Sequence, residues 1–277
     1  MEPFLKRTWA QVDLDALDHN IREIRSAIAP SAKLMCVIKA DGYGHGAVPL
    51  AKESEAAGAD WFAVSNLEEA QELREAGIQK PILILGFTPD SDARLLAQME
   101  ISQAVLSESH ARQLSSYAQE AGTRVRVHIA VDTGMTRIGL SAQNQTQALE
   151  AAAAARRIAE LPGLLLEGLF THFAVAEAGA DYTKRQYQSF RLVADTLKGW
   201  GISIPFCHCS NSAGILDYPE MNFNLVRAGI ILYGLQPSSK VRRPLDLRPL
   251  MELKSVVSMV KTVGSGVDVS YGRTYTT

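Results

Sequence analysis

Eight short apolar, β-branched runs, separated mostly by helical patterns, constrain this chain more than any other feature. They are LMCVIK (34–39), WFAVS (61–65), ILIL (82–85), QAVLS (103–107), VRVHIAV (125–131), LLEGLFTHF (165–173), FCHCS (206–210) and FNLVRAG (223–229). Each is near-continuous rather than alternating, as expected of strands buried on both faces of a parallel sheet. Between them lie amphipathic segments with their own start and stop signals. Asn66 stands three residues before Glu69, Gly77 and Gly122 end two segments, and Pro162-Gly163 ends the alanine-rich stretch from Thr146 to Leu161. These are helix-capping patterns. Before the first run, Leu14, Leu17, Ile21, Ile24 and Ile28 share one helical face. Eight buried strands alternating with helices predict an α/β chain folded as a (β/α)8 barrel. The competing open, doubly wound sheet usually shows a G-x-G-x-x-G turn after its first strand. Here the third glycine of that pattern falls on Ala47.

After Gly234 the character changes. Pro237 to Pro244 reads as a linker, followed by strand patterns without helices (LMELKSVVSMVKTV, then VDVSYGRTYT). The expected organisation is a barrel over residues 1–236, with segment 1–13 pairing with the C-terminal domain. Residues 237–277 are expected to hold the linker and the opening of a C-terminal β-domain that stops before it closes a core.

The formal net charge of −2 provides no basic stripe for nucleic acid, and no apolar run approaches the roughly 18 residues of a membrane span. The N-terminus lacks the apolar core of a signal peptide. Three cysteines (Cys36, Cys207, Cys209) give no disulfide framework. In one strand, Cys207 and Cys209 would share a face and His208 would take the other, which is poor geometry for zinc. The expectation is a cytoplasmic protein with no metal site, no nucleic-acid partner and no membrane contact.

In a barrel, functional side chains gather at the C-terminal strand ends. Those ends carry Lys39, Ser65, Leu85, Ser107, Asp132, His172, Ser210-Asn211-Ser212 and Arg227. Lys39 ends an apolar run and enters the glycine-rich ADGYGHG. It is either a lysine reaching past the last turn into solvent or a desolvated amine able to bond a carbonyl. Arg227 precedes Gly229-Ile230, whose backbone N–H groups, with the Ser212 hydroxyl, would suit a phosphate after strands seven and eight. The alternative is an arginine salt-bridged to a neighbouring loop. His172 is either a satisfied structural group or an orienter of Arg227, and Arg137 on the rim would bind a carboxylate or phenolate. A lysine, a phosphate corner and two arginines suit pyridoxal 5'-phosphate, which carries an aldehyde, a phosphate and a ring nitrogen.

The chain resembles the alanine racemases, barrel-type pyridoxal-phosphate enzymes. The resemblance is carried by WAQVDLDALDHN, VIKADGYGHG, VDTGMTRIG, THFA, HCSNSAG, VRAGIILYG and VSYGRTYT in that order. It implies a homodimeric isomerase that interconverts L- and D-alanine, supplying D-alanine for bacterial peptidoglycan. It also implies Lys39 as the lysine bonded to the cofactor and the base for the D-isomer, with Tyr271 as the opposite base, acting in the partner's site. Tyr43, Asn211, Ser212, Gly229 and Ile230 would surround the phosphate. His172 would hold Arg227 against the ring nitrogen, and Arg137 would meet the substrate carboxylate. A serine racemase of the same architecture and a non-catalytic pyridoxal-phosphate barrel are the rival readings. One departure stands out. Many members carry a lysine, carbamylated in place, seven residues before the active-site arginine; here that position is Ala130. A small anion or another side chain is expected to steady Arg137 instead.

Overall fold

A computed structural model describes residues 7–277. They fall into two units: Asp13–Leu250, and residues 7–12 together with Met251–Thr277.

The small unit is built on β1 (Thr8–Val12), which runs antiparallel to β11 (Met251–Ser255), with Thr8 opposite Ser255 and Val12 opposite Met251. A second short pair joins Asp268–Val269 to Tyr275–Thr276.

The large unit holds the eight expected strands: β2 (Lys33–Val37), β3 (Trp61–Val64), β4 (Ile82–Ile84), β5 (Ile101–Val105), β6 (Val125–Asp132), β8 (Leu164–Phe170), β9 (Phe206–His208) and β10 (Leu225–Ala228). A two-residue strand, β7 (Leu140–Ser141), pairs with the end of β6. The eight run parallel in the order β10-β2-β3-β4-β5-β6-β8-β9. The remaining seam between β9 and β10 is bridged by Arg227 N–H donating to Ser210 O (3.1 Å) and Cys207 N–H donating to Asn224 Oδ1 (2.8 Å). The result is a nearly closed (β/α)8 barrel. One interior cluster joins Met35, Val37, Trp61, Ala63, Leu83 and Leu225, and another joins Ala104, Ala130 and Phe170.

Turn chemistry starts several helices directly after their strands. Asn66, Ser107 and Asn144 each accept from the backbone N–H three residues on, at 2.9, 3.2 and 3.0 Å, satisfying a donor that has no helical carbonyl. Ser107, read from sequence as a strand-end candidate, therefore serves as a cap.

Two expectations need revision. Several strands are shorter at their C-terminal ends than the apolar runs suggested: β2 stops at Val37, β8 at Phe170 and β9 at His208. The division between units falls after Leu250 rather than after residue 236. The stretch read as a free linker is instead fastened to the barrel. Arg242 N–H donates to Asp217 Oδ1 (2.9 Å), and Asn20 pairs with the Arg248 backbone in both directions (2.8 Å each). Buried Leu250 completes the anchorage.

Candidate active site

Lys39 follows buried Ile38 and opens an unusual turn. Ala40, Asp41, Gly42 and Tyr43 all lie in the left-handed region, with φ between 51° and 59°. That conformation costs about 1–2 kcal/mol for each residue with a Cβ, so the surroundings must hold it. Gly42 N–H donates to Ile38 O (2.9 Å), Gly46 N–H to Asp41 O (2.9 Å) and Ala47 N–H to Asp41 Oδ1 (2.7 Å). Ala40 N–H donates to Glu69 Oε1 (2.8 Å), and Glu69 also takes the Ser65 N–H (2.7 Å). Gly42 is required as much by space as by φ, because a Cβ there would lie 2.5 Å from Leu50 Cδ1. The turn leaves Lys39 half-buried at the cavity wall, its Nζ 5.9 Å from the centre of the Tyr43 ring. Burial and the Glu69 charge push the Tyr43 phenol upward, so it stays a hydroxyl donor at neutral pH.

Across the barrel mouth, Arg227 is buried at the end of β10. Its Nη2 donates to Thr171 O (2.8 Å), Cys209 O (3.2 Å) and His172 Nδ1 (3.2 Å), and its Nη1 to His208 Nδ1 (2.6 Å). Among the described residues, Nε–H and one Nη1–H keep no protein acceptor. Burial pulls the guanidinium down to about 10, still well above neutral, so it remains a donor. Burial and the charges of Arg227, Arg137 and Lys39 pull His172 down to about 3. His172 is thus a neutral acceptor toward Arg227. Gln186 holds its backbone from helix Ala180–Gly199, with Nε2 3.0 Å from His172 O.

The corner after β9 and β10 is rich in donors. Ser212 Oγ accepts from Gly229 N–H (3.1 Å), and Asn211 Oδ1 caps the following helix at Gly214 N–H (3.0 Å). The first-turn N–H groups of Ser212, Ala213 and Ile230 have no helical carbonyl to reach. Lys39, Arg137 and Arg227 add positive charge, while the Asp132 carboxylate is engaged by Gly134 and Thr136 N–H (3.0 and 2.9 Å). Convergent N–H groups, hydroxyls and cations around a lysine fit a phosphorylated aldehyde.

These groups line a cavity of about 590 Å³ that includes Lys39, Tyr43, Arg137, His172, Asn211, Ser212, Arg227, Gly229 and Ile230. Tyr271 belongs to the small unit, where it opens a short turn and is 99% exposed. Arg137 is exposed and forms no hydrogen bond or ion pair with the described residues. Ala130 instead packs with Ala104 and Phe170, among Leu85, Leu106 and Ile138. Among the described residues no side chain bonds Arg137 in place of the expected lysine, and a small anion is the other expected partner.

Sequence reasoning missed His128 on β6 and Glu167 on β8 and saw His208 only as part of a cysteine pair. Buried His128 and His208 and half-buried Glu167 lie in one polar chain ending on Arg227. A glutamate followed by glycine inside an apolar run was the available signal.

Residues 12–237 match the family model of the alanine racemase N-terminal domain. The chain is 47% identical to alanine racemase of Desulfovibrio desulfuricans over 278 aligned residues, covering all of this chain and 73% of that protein. It superposes on alanine racemase of Clostridium difficile 630 with a TM-score of 0.90 at 41% identity, covering 99% of this chain and 71% of that one. A more distant neighbour, histidine racemase of Leuconostoc mesenteroides subsp. sake, gives a TM-score of 0.86 at 29% identity, covering 98% and 71%. With a fold and a sequence in common with these proteins, the chain belongs to the alanine racemase family.

Proposed function

We propose that this chain carries the cofactor- and substrate-binding barrel of a pyridoxal-phosphate-dependent alanine racemase. The observation that carries the reading is the single cavity wall that gathers Lys39, the Ser212–Gly229–Ile230 donor corner and the Arg227 donor set. When bound, pyridoxal phosphate supplies an electron-withdrawing ring that acidifies the proton on the substrate Cα.

The rest of the work belongs to the protein. Lys39 would hold the cofactor aldehyde and, once freed as an amine by the substrate's own amino group, would move the proton at Cα on the D-isomer face. Tyr43, Ser212 and the N–H groups of Gly229 and Ile230 would hold the phosphate, with Asn211 shaping the turn that presents Ser212. Arg227 would donate to the ring nitrogen, with His172 keeping the guanidinium in place. Arg137 binds the substrate carboxylate. Inversion needs a second group on the opposite face, and Tyr271 of a partner copy in a homodimer fills that role. D-alanine for peptidoglycan in the cytoplasm is the corresponding biological setting. Among the described residues, no helix is long and apolar enough to cross a membrane.

The test is chiral analysis of L-alanine, L-serine and L-histidine incubated with the chain and pyridoxal phosphate. Formation of D-alanine in preference to the other two supports the proposal. Preferential inversion of serine or histidine reassigns the substrate, and cofactor binding without any inversion supports the carrier reading.

A further inference from the structure

A chain of polar side chains, buried at Arg227, His208 and His128 and half-buried at Glu167, crosses the barrel interior, and the chemistry above uses only its last member. On β8, Glu167 accepts from Ser102 Oγ of β5, and its Oε2 lies 3.2 Å from His128 Nε2 of β6. His128 Nδ1 is 2.9 Å from His208 Nε2, and His208 Nδ1 is 2.6 Å from Arg227 Nη1. Both imidazoles are fully buried, and Arg227 is 3% exposed.

Donor accounting fixes the direction of every bond in this chain. A guanidinium only donates and a carboxylate only accepts. Burial raises the Glu167 carboxyl, but its hydrogen bonds to His128 and Ser102 outweigh that and hold it low, so it is ionised. Burial holds both histidines below their ordinary range, so each carries one proton. His208 must accept at Nδ1 from Arg227, which leaves its proton on Nε2. His128 must then accept at Nδ1 and donate from Nε2 to Glu167. One set of tautomers satisfies the row.

Charge gives the row a purpose. Arg227 is a buried cation whose protein partners are two carbonyls and two imidazoles, none of them a counter-ion. A buried charge without compensation is costly. The Glu167 carboxylate, whose Oε1 also lies 4.0 Å from Nε of the exposed Arg126, supplies the opposite charge at the far end of a polarised row of hydrogen bonds.

The backbone is shaped around the row. The register between β6 and β8 pairs Val127 with Leu166 and then His128 with Gly168, passing over Glu167. Such a bulge re-aims one side chain, and Glu167 faces His128. Gly168 leaves the ring its space, since a Cβ there would lie 2.2 Å from His128 Nδ1.

We propose that Glu167 is a positioning residue which, acting through His128 and His208, fixes the tautomers that orient Arg227 and balances its charge. Only the consequence for the cofactor ring rests on the proposed function; the row itself does not. Nitrogen-15 NMR of the histidine-labelled full chain is the test. In the expected spectrum the His128 and His208 imidazoles are both neutral and protonated at Nε2. A coupling across the hydrogen bond should join the Nε2–H of one to the bare Nδ1 of the other. Glu167→Gln, which can donate as well as accept, should lose the single-tautomer signature, and the acceptor-only Glu167→Asp should retain it. With pyridoxal phosphate added, Glu167→Gln should also shift the absorption maximum of the bound cofactor. A proton on His128 Nδ1 in the parent chain overturns the proposal whether or not the variants fold. Unchanged tautomers in a folded Glu167→Gln chain overturn it too. Failure of the parent to bind pyridoxal phosphate, with the tautomers as expected, counts against the proposed function and not against the row.

Discussion

Lys39 sits where two demands conflict. A covalent anchor must reach the cavity, yet a lysine amine held in an apolar wall would lose its hydration. The left-handed turn resolves this by lifting Lys39 off the strand and leaving it half-buried beside Tyr43. Lys39→Ala is expected to abolish capture of the cofactor on the protein, read as loss of the mass added by borohydride reduction in the presence of pyridoxal phosphate. Retention of that mass at one site in the variant would move the anchor elsewhere. Asn211→Ala removes a cap bond of 3.0 Å and should cost about 1 kcal/mol of stability, seen in urea denaturation. The roles proposed for Lys39 and Arg227 were legible because each places a cation after an apolar run. His128 was not, because a histidine inside VRVHIAV gives no hint of its partners until three strands are brought together.

At the scale of elements, glycine and register decide more than hydrophobicity. Gly42→Ala meets both the Leu50 methyl at 2.5 Å and a φ of 59°. It is expected to lower stability by about 1–2 kcal/mol and to weaken cofactor binding together with it, by thermal melting and absorbance titration. A loss of stability without any loss of binding would separate the turn from the site. Gly168→Ala has less room to relax, since its neighbour is a buried ring rather than the tip of a leucine. The apolar runs located all eight barrel strands but overran their ends. Periodicity reports burial, and the residues just past Val37, Phe170 and His208 are buried in the barrel mouth beyond the strand ladders, with Ile38 N–H still donating to Ala63 O (3.0 Å) and Thr171 N–H to His208 O (3.2 Å). The bulge at Glu167 was invisible for a related reason: it exists only in the pairing of β6 with β8.

Across the whole molecule, buried neutral histidines make stability depend on pH. His172 is pulled from an ordinary value of 6.5 to about 3, and burial holds His128 and His208 low as well. The unfolded chain therefore binds more protons than the folded one below about pH 6.5, and stability must fall as the solution is acidified through that window. Urea midpoints should decline steadily from about pH 7 toward pH 4, and His172→Gln should shallow the decline. A flat profile would mean that these imidazoles are protonated in the fold. The barrel class was readable from the strand count. The extent of the large unit was not, since residues 237–250 look like a linker until Asn20 and Asp217 are seen to hold them.

The central claim, that this barrel moves the proton on an amino-acid Cα, is tested most directly by incubating the pyridoxal-phosphate-loaded chain with L-alanine in heavy water, with Lys39→Ala as control. Deuterium is expected at Cα in both enantiomers, and none with the control. Equal labelling in the control, or no label in a chain that has bound the cofactor, would contradict it.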